Sequence, residues 1–277
     1  MSARLPRTMS LSVLQTASQL IAEGRAFVLA TVVSAEGRTP RDAGARMIWL
    51  PGGDGPATGR IIGTIGGGGL EQAVIEACAR RFAARSAGTE RVSLLQDADQ
   101  CCGGAMEVFL EYVGPSGRVV IFGAGHVSLA LVGLLRESPL EIVVVDNREE
   151  WNSAERFGGP RCRRVHDWRE GVAIALEKPA ETSACIMTYE HDTDFEILRS
   201  LLAAEGAALP AYVGLIGSRS KRACFWGRLS ASGVEAARVE RVECPMGLGD
   251  MGKSPLEVAV SIAGRLLLEA RARARVE

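Results

Sequence analysis

No Cys-x-x-Cys, no His-x-x-x-His and no comparable ligand spacing occurs among the seven cysteines and three histidines of this 277-residue sequence, which excludes a structural zinc site of the usual kinds. Nor is there a run of about 18 consecutive apolar residues, so no membrane-spanning helix is expected. The opening stretch, M-S-A-R-L-P-R-T-M-S-L-S, has charges but no long apolar core behind them, so it does not read as an export signal. A cytoplasmic location is the expectation, and in a reducing compartment an odd count of seven cysteines reads as thiols. Charge of either sign is also missing in excess: the net charge is -1 and the isoelectric point about 6.4, so electrostatics mark no nucleic-acid or anionic-membrane partner. Basic residues gather at Arg161 to Arg164 and Arg265 to Arg275, the second set interleaved with Ala and Leu as on a solvated helix face.

The rest is the make-up of a globular protein, 47% hydrophobic and 23% charged. Such a chain buries one large core or two smaller ones, and two domains are expected. Gly114-Pro115-Ser116-Gly117 is the best linker candidate. It separates residues 1–114, read as a smaller mixed α+β domain, from residues 118–277, read as an α/β domain with a Rossmann-like doubly wound parallel sheet and a C-terminal helix.

The second half is organised around Arg118 to Asp146. Four apolar residues, Val119 to Phe122, run into Gly123-Ala124-Gly125; a helical pattern follows, and a second apolar run from Ile142 to Val145 ends on Asp146. That order is strand, tight turn, helix, parallel strand. Gly123 turns where a side chain would clash, Gly125 lets backbone approach a phosphate, and free N–H groups at a helix start favour an anion. Asp146 follows Gly123 by 23 residues, the place of a ribose-binding acid in such units. The third glycine position is Ser128, which sets the helix slightly farther from the sheet. The competing reading is a βαβ unit whose glycines serve only the turn.

Further strands are expected at Arg163 to Val165, Ala184 to Met187 and Ala211 to Ile216, with a helix from Phe195 to Leu202. Ligands in such sheets lie beyond the carboxyl ends of the strands. Three clusters fall there: Gly123-Ala124-Gly125-His126, Tyr189-Glu190-His191-Asp192 and Gly217-Ser218-Arg219-Ser220-Lys221, the last opening a helix with two cations and two hydroxyls. A lone histidine is more often a hydrogen-bonded loop residue than a ligand or base, but a shared edge raises both His126 and His191. No catalytic triad or carboxylate pair is assignable, and His166 and Trp168 carry no reading beyond packing or loop. Ser254-Pro255-Leu256-Glu257 is a capping box that starts a long helix, and the glycine-rich loop before it, with Cys244, Asp250 and Lys253, is compositionally odd enough to return to the site.

In the first half, Ser10 caps a helix with Leu11, Leu14, Leu20 and Ile21 on one face, and Gly24 stops it. Strands are expected at Phe27 to Ser34, Arg46 to Leu50, Arg91 to Leu95 and Met106 to Val113, with a plain loop from Pro51 to Pro56. Arg38, Arg41 and Arg46 flank a turning segment that could grip an anion bidentately, although on these residues alone a solvated surface loop is the favoured reading. Four glycines, Gly66 to Gly69, precede a helix and imply backbone lying against a ligand, a neighbouring chain or a sharp turn. In D-A-D-Q-C-C-G-G, Cys101 and Cys102 point in different directions, and Gly103-Gly104 lets a bulky partner approach. A soft-metal or sulfur-ligand site and a pair of buried structural thiols are equal readings.

The set G-R-T-P-R-D-A-G-A-R, G-T-I-G-G-G-G-L-E, Q-C-C-G-G, V-V-I-F-G-A-G-H-V-S, G-L-I-G-S-R-S-K-R and C-P-M-G-L-G-D-M-G-K-S-P resembles the xanthine dehydrogenase accessory proteins of the XdhC/CoxI type, from about Phe27 to the final helix. The resemblance implies a chaperone that binds molybdenum cofactor (molybdopterin), supports its sulfuration by a cysteine desulfurase and delivers it to xanthine dehydrogenase or a related molybdenum hydroxylase. It does not imply turnover of purines. It maps cofactor contacts onto Cys101, Cys102, Gly103 and Gly104, onto the turn of Gly123, Gly125 and His126, onto His191, and onto Gly217, Ser218 and Arg219; Asp146 joins them by its place at the strand end. A thiol at Cys101 or Cys102 is expected to retain or shield the molybdenum end. Two departures stand out: Gly69 where relatives carry Cys or His, and Tyr189 where they carry the first His of a Thr-His-Asp-His run. A nucleotide at the Rossmann-like turn is an accompanying expectation, and glycine-rich edges with a long last helix point to a homodimer. The competing readings are an NAD(P)-dependent oxidoreductase using Asp146 on the ribose, and a scaffold that docks the target without holding cofactor.

Overall fold

The computed structural model describes residues 9–37, 39–52, 55–93, 104–159, 161–204, 206 and 208–273. The chain divides into two compact units, Met1–Gly114 and Pro115–Glu277. The first is mixed α/β with an antiparallel sheet, and the second carries a parallel sheet.

The first unit runs α1 (Met9–Ala22), β1 (Phe27–Gly37), β2 (Arg46–Gly52), β3 (Gly55–Gly63), α2 (Gly69–Ala83), β4 (Ala87–Ser93) and β5 (Gly104–Val113). Its five strands pair antiparallel in the order β3-β2-β1-β5-β4. Alternation along β1 and β2 splits the apolar residues between two faces. Val28, Ala30, Met47 and Trp49 pack under α2 through Leu70, Val74 and Ala77. Phe27, Ile48 and Leu50 pack under α1 through Val13, Ala17 and Leu20. The α1 face thus differs from expectation: Val13, Ala17 and Leu20 are its buried stripe, Leu14 and Ile21 are exposed, and Ser10 lies inside the helix instead of capping it. Gly24 does end it, with a φ of 69°. The expected loop from Pro51 to Pro56 is a correction as well. Gly52 pairs with Gly55, so β2 and β3 form a hairpin; the length of this connection, rather than its Gly and Pro content, was the signal.

The second unit runs β6 (Gly117–Phe122), α3 (His126–Leu135), β7 (Leu140–Val145), α4 (Ala154–Phe157), β8 (Cys162–Val165), α5 (Trp168–Glu177), β9 (Thr182–Ile186), α6 (His191–Ala203), β10 (Tyr212–Leu215), α7 (Arg219–Ala231), α8 (Ala236–Val239), β11 (Val242–Glu243) and α9 (Pro255–Arg273). The sheet order is β11-β10-β9-β6-β7-β8 with parallel neighbours, so the chain builds outward from β6 on one side, then crosses over and builds outward on the other. This is the Rossmann order, and it puts the crevice between β6 and β9. Central strands read as unbroken apolar runs because both faces are covered. Val120, Phe122, Val143, Val145, Ile186 and Leu215 pack with residues of α5, α6 and α7. Val119, Ile121, Ile142 and Val144 pack with Leu131, Leu135, Ile262 and Leu266 of α3 and α9. Each fully buried side chain of this kind contributes about 1.5–3 kcal/mol. The capping box forms as expected: Ser254 N–H and Oγ–H donate to Glu257 at 2.9 and 2.8 Å, and Glu257 N–H donates back to Ser254 Oγ at 3.3 Å.

Candidate functional site

At the crevice, Gly123 has a φ of 108°, and a Cβ built on it would lie 2.3 Å from the Met187 carbonyl oxygen. Only glycine lets the β6 exit lie this close to the β9 exit. Gly125, by contrast, faces open space and caps α3 without a side-chain hydrogen bond, so its backbone is approachable. Ser128 occupies the third glycine position fully buried, and its Oγ has no hydrogen-bond partner among the described residues.

Asp146 ends β7 with a side chain only 2% exposed. One carboxylate oxygen accepts from the Arg148 amide at 3.0 Å and Arg148 Nε at 2.9 Å. The other accepts from the Ala124 amide at 2.8 Å and an Arg148 Nη at 2.7 Å. Burial alone would raise this carboxyl's pKa, but the hydrogen bonds from the Arg148 side chain and from the two amides outweigh it and hold the group below its ordinary value. The Arg148 guanidinium in turn lies over the Tyr189 ring at 4.0 Å and the Trp151 ring at 4.9 Å, a stacked arrangement suited to its planar cation. His126, exposed at the start of α3, meets Trp151 edge-to-face at 5.4 Å. Arg148, invisible to the motif reading, is therefore the hub of this half of the rim. Its signal is an Arg two residues beyond the strand-end acid.

On the other half, Asp194 is buried in the first turn of α6. It accepts from Thr188 N–H at 2.9 Å and Thr188 Oγ–H at 2.7 Å, and pairs with Lys221 Nζ, which also donates to the Ile216 carbonyl at 3.0 Å. Gly217, Ser218 and Arg219 stand at the β10 exit: a Cβ on Gly217 would press on the Lys221 stem, Ser218 Oγ accepts from Lys221 N–H at 3.3 Å, and Arg219 is exposed. This motif is thus tied through Lys221 and Asp194 to Thr188 at the crevice. His191 is exposed at the start of α6. The loop before α9 does return to this edge, with Met246 N–H bonded to the Leu215 carbonyl at 3.1 Å. Burial pushes the Cys244 thiol up, against the lowering pull of Lys221 and Arg222.

In the first unit, Cys101, Cys102 and Gly103 lie outside the described residues, as does Arg38. Their described neighbours are placed by register: Gly37 pairs with Gly104, and Ser93 with Ala105. The end of β1, the end of β3, the start of α2 and the flanks of the cysteine segment therefore share one end of the antiparallel sheet. The glycine run serves a turn there, with φ of 151° at Gly66 and 67° at Gly68, and Pro40 is the neighbour that fills the space a Gly66 side chain would need. Gly67 and Gly69 are exposed. Among the described cysteines, Cys78 and Cys185 have thiols pushed up to about 12 by burial, which keeps them protonated. No group of three or more His, Cys, Asp or Glu side chains among the described residues is arranged to hold a metal ion, and none of the described helices is long and apolar enough to cross a membrane.

Comparison with known proteins matches residues 119–266 to the XdhC Rossmann domain and residues 20–93 to the XdhC and CoxI family. The uncharacterized protein YqeB of Escherichia coli strain K12 is 29% identical over 262 residues, which are 93% of this chain and 46% of that protein. The chain thus spans about half the length of this curated relative. A solved Bacillus halodurans structure described as a xanthine dehydrogenase is 21% identical, with a TM-score of 0.46, over 96% of this chain and 97% of that one.

Proposed function

Because the chain belongs to the XdhC and CoxI family, we propose that it is an accessory protein that binds molybdenum cofactor, supports its sulfuration together with a cysteine desulfurase, and delivers it to xanthine dehydrogenase or a related molybdenum hydroxylase. The observation that carries this reading is that family matches fall in both units, at residues 20–93 and 119–266. When bound, the cofactor supplies the redox metal of the target enzyme; this chain's task is to hold and release it. Its parts are a phosphate, a pterin with many hydrogen-bonding edges, and a sulfur-ligated metal. The second unit fits the first two: an approachable uncapped helix start at Gly125, exposed Arg219, and aromatic residues beside Arg148. For the metal end the candidates are Cys101 and Cys102, on the strength of the family motif and thiol chemistry. The oxidoreductase alternative is weakened by the four donors already on Asp146.

The test is pterin and molybdenum analysis of protein purified without oxygen after co-production with a molybdenum hydroxylase. Stoichiometric pterin and metal are expected in the natural protein, and metal loss in Cys101→Ala and Cys102→Ala variants. Pterin-free, metal-free protein would remove the proposal. Unaltered retention and delivery in the double variant would remove the thiols' role.

A further inference from the structure

A cleft of about 120 Å3 opens beyond the ends of β7 and β9, lined by Asp146, Asn147, Trp168, Tyr189, Glu190 and Thr193 among others. It is well below the roughly 300–1,000 Å3 of a pocket that engulfs a whole drug-sized ligand, so it takes one ring of a larger molecule. Aromatic side chains at Trp168 and Tyr189 offer stacking surface, while Asn147 and Glu190 offer hydrogen-bond partners for a ring carrying amino groups.

What adjoins that ring follows from counting lone pairs. A carboxylate has about four acceptor positions, and Asp146 has four donors at 2.7–3.0 Å. Nothing is left over for the hydroxyls of a ribose. Arg148 is the converse: of its five N–H groups, two are spent on Asp146, through Nε and one Nη. The remaining three belong to a guanidinium that is 24% exposed and stacked on Tyr189, a residue of the cleft wall.

We propose that this cleft takes a planar nitrogen heterocycle carrying a phosphate monoester, with Arg148 reading the phosphate and Asp146 serving to hold Arg148 and the Gly123-Gly125 turn in place. Guanidinium N–H groups match phosphate oxygens and not a neutral diol. Glu150 acts on Arg148 and Glu190 lines the cleft, so an anion is selected only where it reaches Arg148. The inference rests on the accessory-protein reading for its biological meaning, but not for its test. Phosphorylated pterin and phosphorylated nucleotide share the chemistry, and the experiment separates them.

The experiment is calorimetric titration of the full chain with two pairs of probes, NADP+ against NAD+ and neopterin phosphate against neopterin. The phosphorylated member of at least one pair is expected to bind about tenfold tighter or better. Arg148→Ala is expected to erase that preference, and Thr193→Trp, which fills the cleft from α6, to abolish binding; circular dichroism melting checks that both variants fold, and Arg148→Lys gives partial recovery of the preference. The pair that responds identifies the source. Equal binding within both pairs, a preference for NAD+, no binding of any probe, or unchanged binding by folded Thr193→Trp would overturn the inference. Loss of the accessory-protein reading shows separately, as absence of pterin and molybdenum from co-produced protein.

Discussion

Two buried carboxylates stand at the carboxyl edge of the parallel sheet, and the cations that hold them differ in what they leave over. Asp194 is matched by Lys221, and both side chains are sealed, at 1% and 7% exposure. Their partners come from α6, the β9 exit and the β10 exit, so the pair fastens three elements of one half-sheet. Asp146 is matched by Arg148 two residues away, and that cation stays partly exposed with N–H groups unspent. One pair is a rivet; the other holds a binding group in position. Burial and partner count, not the presence of a charge, separate the two roles.

The largest effect is expected at the rivet. Asp194→Ala strands the Lys221 ammonium in the interior, and a loss of about 3–5 kcal/mol is expected in urea unfolding followed by tryptophan fluorescence. Adding Lys221→Met should restore part of it. A loss below that of Arg148→Ala would reverse the roles assigned to the two pairs. Next is Gly123→Ala, expected to cost about 2–4 kcal/mol through backbone strain and overpacking against Met187. Gly125→Ala, which meets nothing within 4 Å, should be near neutral.

Arg148→Ala should cost less than either, about 1.5–3 kcal/mol for hydrogen bonds to a charged group. Here pH sharpens the contrast. The folded pKa of Asp146 is depressed, so the stability it adds is present above the unfolded carboxylate value of about 4 and is lost as pH falls through the folded value. The difference between natural protein and Arg148→Ala should accordingly shrink on acidification below about pH 4; a difference that grows there would contradict the assignment. Among the destabilising changes the smallest belongs to neither half: Ser254→Ala removes the capping box of α9 and should lower stability by about 1 kcal/mol.

The parallel sheet was legible because periodicity reports it directly: Val119 to Phe122 and Ile142 to Val145 are apolar runs that only a strand covered on both faces explains. The turn at Gly123 was legible for the same reason, since close backbone approach demands glycine. Partner choice was not. Asp146 looked like a ribose acceptor because its distance from the glycines is right, yet nothing in that spacing says that an arginine two residues on will consume its lone pairs. Asp194 and Lys221 lie 27 residues apart and meet only after β9, α6 and β10 are in place. In the first unit the exposed face of α1 was misjudged because a leucine at helical spacing fits either stripe. The β2–β3 hairpin was hidden by its own Pro and Gly content.

Whether the protein holds cofactor for handover is tested most directly by transfer. Anaerobically purified protein, loaded during co-production, is mixed with a cofactor-free molybdenum hydroxylase, and hydroxylase activity is followed alongside movement of molybdenum and pterin between the two proteins. Activity is expected to appear in step with transfer, and to fail with Cys101→Ala/Cys102→Ala protein. Cofactor that stays on this chain, or activation without any cofactor passing through it, would contradict it.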